Sequence, residues 1–273
     1  MLYLVATPIG NLGDITLRAL EILKTSSYIL CEDTRHSRPL LHHFAIQTPL
    51  KSYHKFNERA RLEEVIADIK AGHNVALISD AGTPAISDPG SLLVAACVAE
   101  NLSVQAIPGP CAAVAALTCS GLATDRFQFY GFLPRKAGEL KEALLSILHY
   151  PGTTICYESP ERLLDVLQLF HSLAPGNKLV IARELTKKFE EVIRGTPEEL
   201  IQYYQEHPLK GEIVLLVESA AKDSHNWLEM SEEEHVDFLE KSYHLSRKEA
   251  IKMAADQRQM PKRVLYNNLL NRL

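Results

Sequence analysis

The sequence has no apolar run long enough to span a bilayer, so no transmembrane helix is expected. It begins almost directly in the apolar run Leu2–Ala6, without the basic segment that opens a secretory signal peptide. Its five cysteines form no C-x-x-C pair, which argues against a zinc site. Together these absences predict a cytoplasmic globular protein that has no membrane partner and whose thiols are reduced and mostly buried.

Three common ligand-binding motifs are absent as well. There is no G-x-x-x-x-G-K-[ST], so a P-loop nucleotide hydrolase is not expected, and no G-x-G-x-x-G follows the first apolar segment, so the usual dinucleotide site is excluded. An H-E-x-x-H metal motif is also missing, and no metal site is expected. A ligand of this chain should therefore be held by backbone groups rather than by a phosphate cradle or a metal.

The segments that are present alternate between strand-like and helix-like patterns, which predicts an α/β fold with a parallel sheet covered on both faces. The first part, 1–110, has strands at 2–7, 28–31, 75–78 and 104–107, with helix starts at Asp14 or Thr16, at Asn57 and at Gly90. The second part, 111–220, reads as a mixed α/β domain with strands at 127–132, 153–157, 179–183, 191–194 and 212–218, and helices at 140–148, 160–173 and from Pro197.

Four loops rich in glycine, proline and acidic residues follow the predicted strands of the first part, at 7–11, 32–35, 77–90 and 108–111. Ligands of open parallel sheets bind at the carboxyl ends of the strands, so these loops predict a ligand site there. Each loop taken alone could be an ordinary turn that ends its strand.

Charge is distributed unevenly. The chain has a net charge of −5, yet residues 244–273 hold seven Lys or Arg and two Asp or Glu. Two short helices are predicted in the tail 227–273, one opened by the capping pattern Ser246–Glu249 and one starting at Pro261. Such helices can present cations to an RNA backbone, or they can pack on the body or on a second copy. The cations are Arg247, Lys248, Lys252, Arg258, Lys262 and Arg263.

Seven motifs stand in one order: VATPIGNLGDIT, CEDTR, SDAGTPAISDPG, PGPCAAVAAL, GFLPRK, YESPERL and RELTKKFEE. In this order and spacing they resemble the bacterial 16S ribosomal RNA cytidine 2′-O-ribose methyltransferases of the tetrapyrrole-methylase superfamily. The resemblance covers residues 2 to 218, and the tail is also similar. One position departs from the pattern, because Cys111 stands where the family usually has Ser, which could alter one polar contact.

The resemblance implies S-adenosylmethionine as methyl donor, bound in a cleft between two α/β domains, and a homodimer. It implies 16S ribosomal RNA or the small ribosomal subunit as partner. Carried over by motif, the donor contacts are Pro8, Asp80, Ala81, Gly82, Thr83, Cys111, Ala112, Tyr157 and Glu158.

Methylation of a ribose hydroxyl also needs alignment of the reacting atoms and removal of one proton. Asp33 and Glu32 are the favoured bases, with Arg35 on a phosphate, although Asp33 could instead pair with Arg35 or cap a helix. Lys187 and Glu190 are second candidates. Outside this group, Arg135 and Lys136 are expected phosphate contacts, or simply parts of an exposed loop.

The sequence therefore predicts 2′-O-methylation of a cytidine in 16S ribosomal RNA. Two alternatives stay open at this point. One is a tetrapyrrole C-methyltransferase, although such relatives usually lack a basic helical tail. The other is a non-catalytic RNA-binding protein on a methylase fold, against which the intact donor loops argue.

Overall fold

The first half of the chain forms a parallel five-stranded sheet with strand order β3-β2-β4-β1-β5. A computed structural model describes residues 1–218, 230–243 and 245–270. The strands are β1 Leu2–Val5, β2 Tyr28–Cys31, β3 Leu50–Ser52, β4 Val75–Leu77 and β5 Val104–Ile107. The central strands β2 and β4 are buried along their whole length, which confirms the predicted parallel sheet with both faces covered.

Five helices accompany this sheet: α1 Leu17–Thr25, α2 Thr34–His43, α3 Glu58–Lys70, α4 Ser91–Ala99 and α5 Ala112–Ser120. The Thr16 hydroxyl caps α1 by accepting a hydrogen bond from the Ala19 amide at 3.1 Å. Asn57 precedes α3 as predicted, but its side chain accepts a hydrogen bond from the His54 amide and does not cap the helix.

The two faces of the sheet bury separate apolar clusters. Leu2, Leu30 and Leu77 pack on one face, and Val5, Ile29 and Ala76 pack on the other. Because β1 and β4 are neighbours in the middle of the sheet, the loops that follow them start side by side. The sheet therefore supplies a rigid base for two of the four loops at which a ligand site was predicted.

The second half contains a mixed sheet with strand order β6-β7-β10-β8-β9. Its strands are β6 Phe127–Phe132, β7 Thr153–Glu158, β8 Leu179–Arg183, β9 Glu191–Gly195 and β10 Ile213–Val217. The helices are α6 Ala137–His149, α7 Pro160–Leu173 and α8 Pro197–Glu206. A capping box of Thr196 and Glu199 opens α8.

Three helices of the described tail follow: α9 Glu232–Tyr243, α10 Arg247–Gln257 and α11 Lys262–Leu270. The predicted capping box of Ser246 and Glu249 is present at α10, and α11 begins directly after Pro261. Residues 227–229, where the tail was predicted to begin, lie outside the described residues. Among the described residues, no helix combines the length and the apolar character needed to cross a membrane.

The chain divides into two compact units. The first contains Met1–Cys119, Ala182–Val192 and Glu212–Val214, and the second contains Ser120–Ile181, Ile193–Gly211 and the described part of Leu215–Leu273. Helix α5 and two later segments thus group with the first sheet. The predicted domain ranges 1–110, 111–220 and 227–273 stay predictions.

Candidate active site

Hydrogen bonds join the loops after β1, β4 and β5 to one another. Thr7 and Gly82 exchange both backbone bonds, at 2.9 and 3.1 Å, and the Thr83 hydroxyl donates to the Pro110 carbonyl at 3.0 Å. The Ser79 hydroxyl donates to the Gly82 carbonyl at 3.1 Å. The predicted donor residues Asp80, Ala81, Gly82 and Thr83 therefore lie in a loop whose backbone is fixed on two sides.

Gly82 has a φ of +80°, a left-handed conformation that glycine adopts without strain. A Cβ atom added there would lie 3.2 Å from Ile9 Cγ2, so the position is also tight. The glycine that the sequence singled out is therefore needed for the path of the loop itself.

The turn after β2 holds Asp33 and Arg35 in a closed pair. The Asp33 carboxylate accepts from the Arg35 amide at 2.8 Å, from its Nη2 at 2.8 Å and from its Nε at 3.1 Å. These hydrogen bonds lower the pKa of Asp33 to about 2. Asp33 therefore both caps α2 and forms an ion pair with Arg35, as the sequence allowed. Its role as a base stays a prediction.

Asp88 has the opposite environment. It is half-buried in the loop after β4, and burial, followed by the charges of Glu32 and Asp80, raises its pKa to about 6. No sequence pattern distinguishes this aspartate from a turn residue, because the shift depends on carboxylates from two loops. Asp88 is a further candidate base that sequence reasoning missed.

A cavity of about 430 Å³ in the first unit brings predicted donor and acceptor residues together. Pro8, Asp80 and Ala81 line it from the donor loops, and Arg35 lines it from the start of α2. The Asp33 amide also lies 3.4 Å from Asp80 Oδ1, which connects the two loops. Lys187, the second candidate, lies on the same cavity.

Cys111 and Ala112 lie where the chain enters α5. The Cys111 carbonyl accepts a hydrogen bond from the Ala115 amide at 2.9 Å, so this residue forms the first turn of the helix. Its thiol is half-buried. The replacement of Ser by Cys at this position therefore leaves the turn intact.

In the second unit, Glu158 is a buried carboxylate at the end of β7. Its side chain is 1% exposed, and Oε1 accepts from the Ser159 amide at 2.7 Å and pairs with Arg162 at 3.3 Å. Its Oε2 has no hydrogen-bond partner among the described residues. A buried carboxylate oxygen without a partner is costly, which points to a ligand group at this atom.

Arg162 forms hydrogen bonds with the backbone of the two residues that precede Arg135. Its guanidinium donates to the carbonyls of Leu133 at 3.1 Å and Pro134 at 2.5 Å. Arg135 and Lys136 are both exposed, and Lys136 pairs with Glu139 at 2.9 Å.

The ring of Tyr157, a predicted donor contact, packs against the rings of Phe129 and Phe132, with centroid distances of 4.9 and 5.6 Å.

The tail cations fall into two sets. Arg247 pairs with Asp237 and Glu240 of α9, and Lys252 pairs with Glu142 of α6. Arg258 donates to His235 and to two backbone carbonyls. By contrast, Lys248, Lys262 and Arg263 are exposed and have no ion pair within the described parts of the chain. The pairing of Arg247 was not expected from the sequence, because its partners Asp237 and Glu240 lie on helix α9, which was not predicted.

Comparison with known proteins places this geometry in a family. The family model described as Tetrapyrrole (Corrin/Porphyrin) Methylases matches residues 1–201. A ribosomal RNA small subunit methyltransferase I from Synechocystis is 47% identical over 97% of this chain and 96% of its own. The proteins of the same name from Halalkalibacterium halodurans and Bacillus subtilis are 45% and 41% identical, over 97% and 98% of this chain and 93% of each relative.

Solved structures show the same fold at lower identity. Diphthine synthase aligns with a TM-score of 0.62 and 14% identity, over 80% of this chain and 89% of its own. Uroporphyrin-III C-methyl transferase from Thermus thermophilus, in complex with S-adenyl homocysteine, aligns with a TM-score of 0.55 and 18% identity, over 81% and 99%. The hydrogen-bonded loops and the two sheets agree with these matches. The matches show that the chain belongs to the tetrapyrrole methylase family, among the relatives named ribosomal RNA small subunit methyltransferase I.

Proposed function

We propose that the protein transfers a methyl group from S-adenosylmethionine to the ribose 2′-hydroxyl of a cytidine in 16S ribosomal RNA of the small subunit. The observation that carries this proposal is the similarity to the named rRNA methyltransferases, which extends over 97% of the chain. The seven motifs support the same reaction. A protein that acts on this RNA works in the cytoplasm, where bacterial ribosomes assemble.

The described residues fit a methyl donor of this kind. The donor carries amino, carboxylate and ribose hydroxyl groups, and when bound it supplies an electrophilic methyl on a sulfonium. Fixed backbone groups at Asp80, Ala81 and Thr83 can bond the polar groups, Gly82 lets the donor approach the loop closely, and the unpartnered Oε2 of Glu158 can accept a hydrogen bond. Pro8, Cys111, Ala112 and Tyr157 complete the proposed donor contacts.

In the proposed reaction the ribose hydroxyl oxygen forms a bond to the methyl carbon while the bond from that carbon to sulfur breaks. A carboxylate takes the hydroxyl proton, and the products are a methyl ether and a neutral thioether. Asp33 and Glu32 remain the candidates favoured by the sequence. Asp33 is a weak base because Arg35 stabilises its ionised form, whereas Asp88 binds a proton more tightly near neutral pH.

Arg35 contributes a fixed cation in this scheme. Its two bonds to Asp33 hold the guanidinium in one orientation beside the cavity, and Asp33 then acts as a positioning residue. On the second unit, Arg135, Lys136, Lys248, Lys262 and Arg263 are exposed cations that can bind RNA phosphates. A cation that pairs with an acidic side chain contributes less, and these are Lys136, Arg247 and Lys252.

The experiment that tests the function uses labelled S-adenosylmethionine with three acceptors: naked 16S ribosomal RNA, assembled small subunits and a porphyrin precursor. We expect label in the RNA of at least one ribosomal sample, on a ribose of a cytidine after digestion. Label in the porphyrin precursor alone would establish a tetrapyrrole methyltransferase. RNA binding without any transfer, and without donor binding in calorimetry, would establish a non-catalytic binding protein.

We also propose that the protein is a homodimer. The family resemblance supports this state, and so do large apolar side chains on the first unit that are open to solvent, among them Leu17, Phe56 and Val98. Light scattering after size-exclusion chromatography should give about twice the 30.5 kDa mass of the chain. A monomer mass at micromolar concentration would contradict the proposal.

A further inference from the structure

The cavity in the first unit has a second wall, which is formed by residues outside the donor loops. One side of it is formed by Pro8, Asp80 and Ala81, which the donor is proposed to touch. The other side is formed by α2, through Arg35 and Ser37, and by Lys187 from the loop between β8 and β9. Nothing in the donor motifs accounts for this second wall.

Ser37 places a buried hydroxyl on that wall. The residue is only 3% exposed, and no oxygen or nitrogen of the described residues bonds to its Oγ. The Cys31 thiol shares a side-chain hydrogen bond with Ser37, and sulfur is a weak partner in such a bond. A hydroxyl buried in this way beside a cavity is expected to bond to whatever fills the cavity.

Lys187 places a fixed ammonium on the same wall. Its Nζ lies 2.7 Å from Glu184 Oε1 and 2.8 Å from Glu212 Oε2, which leaves one of its three hydrogens for a ligand. The stem of the side chain crosses Gly10 so closely that a Cβ atom there would lie 2.4 Å from Lys187 Cγ. Gly10 is therefore required for Lys187 to reach the cavity.

The loop that carries Lys187 is itself held in an unusual conformation. Glu184 and Thr186 have φ values of +51° and +65°, which are uncommon for residues with side chains. The Thr186 amide donates to Glu190 Oε2 at 2.5 Å, and the Asn11 amide donates to the Thr186 hydroxyl at 3.1 Å. Strained backbone held by several bonds is typical of ligand-binding segments.

We propose that this cavity binds the acceptor nucleotide of the RNA, with Lys187 and Arg35 facing its phosphate and the Ser37 hydroxyl bonded to its ribose. Two cations held by carboxylates and one buried hydroxyl match the groups of a single nucleotide. The cavity volume of about 430 Å³ lies in the range of small-molecule sites. The reacting hydroxyl then lies beside the donor loop, because Asp80 and Ala81 border the same cavity. This inference rests on the proposed function.

The test compares Lys187→Met and Ser37→Ala with the parent enzyme, with Lys188→Met as matched control. Lys188 is the next residue, and its ammonium lies over the Phe189 ring rather than on the cavity. We expect Lys187→Met to raise KM for RNA by about 10- to 100-fold and Ser37→Ala by about 3- to 10-fold, from the usual strength of such bonds. Affinity for S-adenosylhomocysteine in calorimetry should stay within about twofold in every variant.

Each other outcome has a defined meaning. Unchanged KM and kcat for RNA in both variants would overturn the inference. A fall in S-adenosylhomocysteine affinity in place of the RNA effect would also overturn it, because the cavity would then belong to the donor. If Lys187→Met lowers Tm, the double variant with Glu212→Gln restores charge balance, and Lys187→Arg should recover RNA affinity. A parent enzyme that methylates no ribosomal RNA would instead refute the proposed function, and binding of a short RNA oligonucleotide to parent and variants would then decide the cavity separately.

Discussion

At the scale of single residues, Asp33 and Asp88 show how surroundings separate two identical side chains. Hydrogen bonds from Arg35 lower the pKa of Asp33 to about 2, so it is ionised at neutral pH. Burial raises the pKa of Asp88 to about 6. A base must be ionised to accept a proton, so of these two aspartates Asp88 is the one that can give the reaction a titration near pH 6.

We expect the single-turnover rate of methyl transfer to fall about tenfold per unit below pH 6, because protonated Asp88 cannot accept a proton. Asp33→Asn should keep this acidic limb, whereas Asp88→Asn should remove it and lower the plateau by about 100-fold. Saturating RNA and donor isolate the chemical step. A rate that stays flat down to pH 5 would exclude Asp88 and return attention to Asp33 and Glu32.

Glu158 supports a second prediction at this scale. Glu158→Gln keeps the size of the side chain but replaces one carboxylate oxygen by an amide nitrogen, so Oε2 can no longer accept from the donor. We expect donor affinity in calorimetry to fall about 10-fold, the usual cost of a lost charged hydrogen bond. Glu161→Gln, at an exposed position on α7, is the matched control and should bind the donor normally. Equal affinities for the two variants would remove Glu158 from the donor site.

The turn that carries the proposed donor contacts could be predicted from the sequence, and the reason is local. Donor-loop positions such as Asp80 and Gly82 follow a buried strand, and their residue types reveal a turn. Ser37, Asp88 and the pairing of Lys187 could not be predicted, because each depends on which distant segments meet. The spacing of residues along the chain does not indicate which distant segments are in contact.

At the scale of elements, the backbone pairing of Thr7 with Gly82 links β1 to β4 through their loops. Gly82→Ala should lower the free energy of unfolding by about 1–2 kcal/mol, because alanine is strained at a φ of +80°. Gly138→Ala is the control, since that position in α6 has open space for a Cβ atom and should gain up to about 1 kcal/mol. Chemical denaturation measures both, and equal losses would contradict the argument.

The same scale shows where helix signals were sufficient. The capping boxes at Thr196 and Ser246 mark helix starts that the structure contains. A third pattern of this type joins Ser231 and Glu234, where each backbone amide donates to the partner's side chain, yet α9 was not predicted. Helix α2 was not predicted because Pro39 lies inside it. Strand β3 was not predicted because it is only three residues long.

At the scale of the whole molecule, the contrast between an acidic body and a basic tail governs the response to salt. Each phosphate contact made by a cation adds about 0.7–0.9 to the slope of log affinity against log salt. Reversing Lys248, Lys262 and Arg263 to Glu should therefore reduce that slope by about 2 or more. Arg247→Gln should change the slope little and lower Tm instead, because Arg247 already pairs with α9. Equal slopes for parent and triple variant would exclude the tail from RNA binding.

Fold class was predictable at this scale because alternating strands and helices allow few arrangements. The division into units was not, because β10 lies between β7 and β8, and such neighbours are distant in sequence. The segments Ala182–Val192 and Glu212–Val214 belong to the first unit through contacts between residues far apart in sequence, such as the Asn11 amide with the Thr186 hydroxyl.

The segments Ala182–Val192 and Glu212–Val214, which complete the first unit, are synthesised late, and this order affects how the unit folds on the ribosome. The strands β1 to β5 have all been synthesised once residue 107 is made, but Lys187 and Glu212 follow much later. Domains generally fold during translation as their residues become available. The first unit therefore cannot complete its folding, and its cavity lacks the wall that contains Lys187, until about residue 214 has left the exit tunnel. Nascent chains halted between residues 119 and 182 should be open to proteases at Gly10 and Asn11, which Lys187 and Thr186 contact in the complete unit, and release of the chain to about residue 214 should close that window.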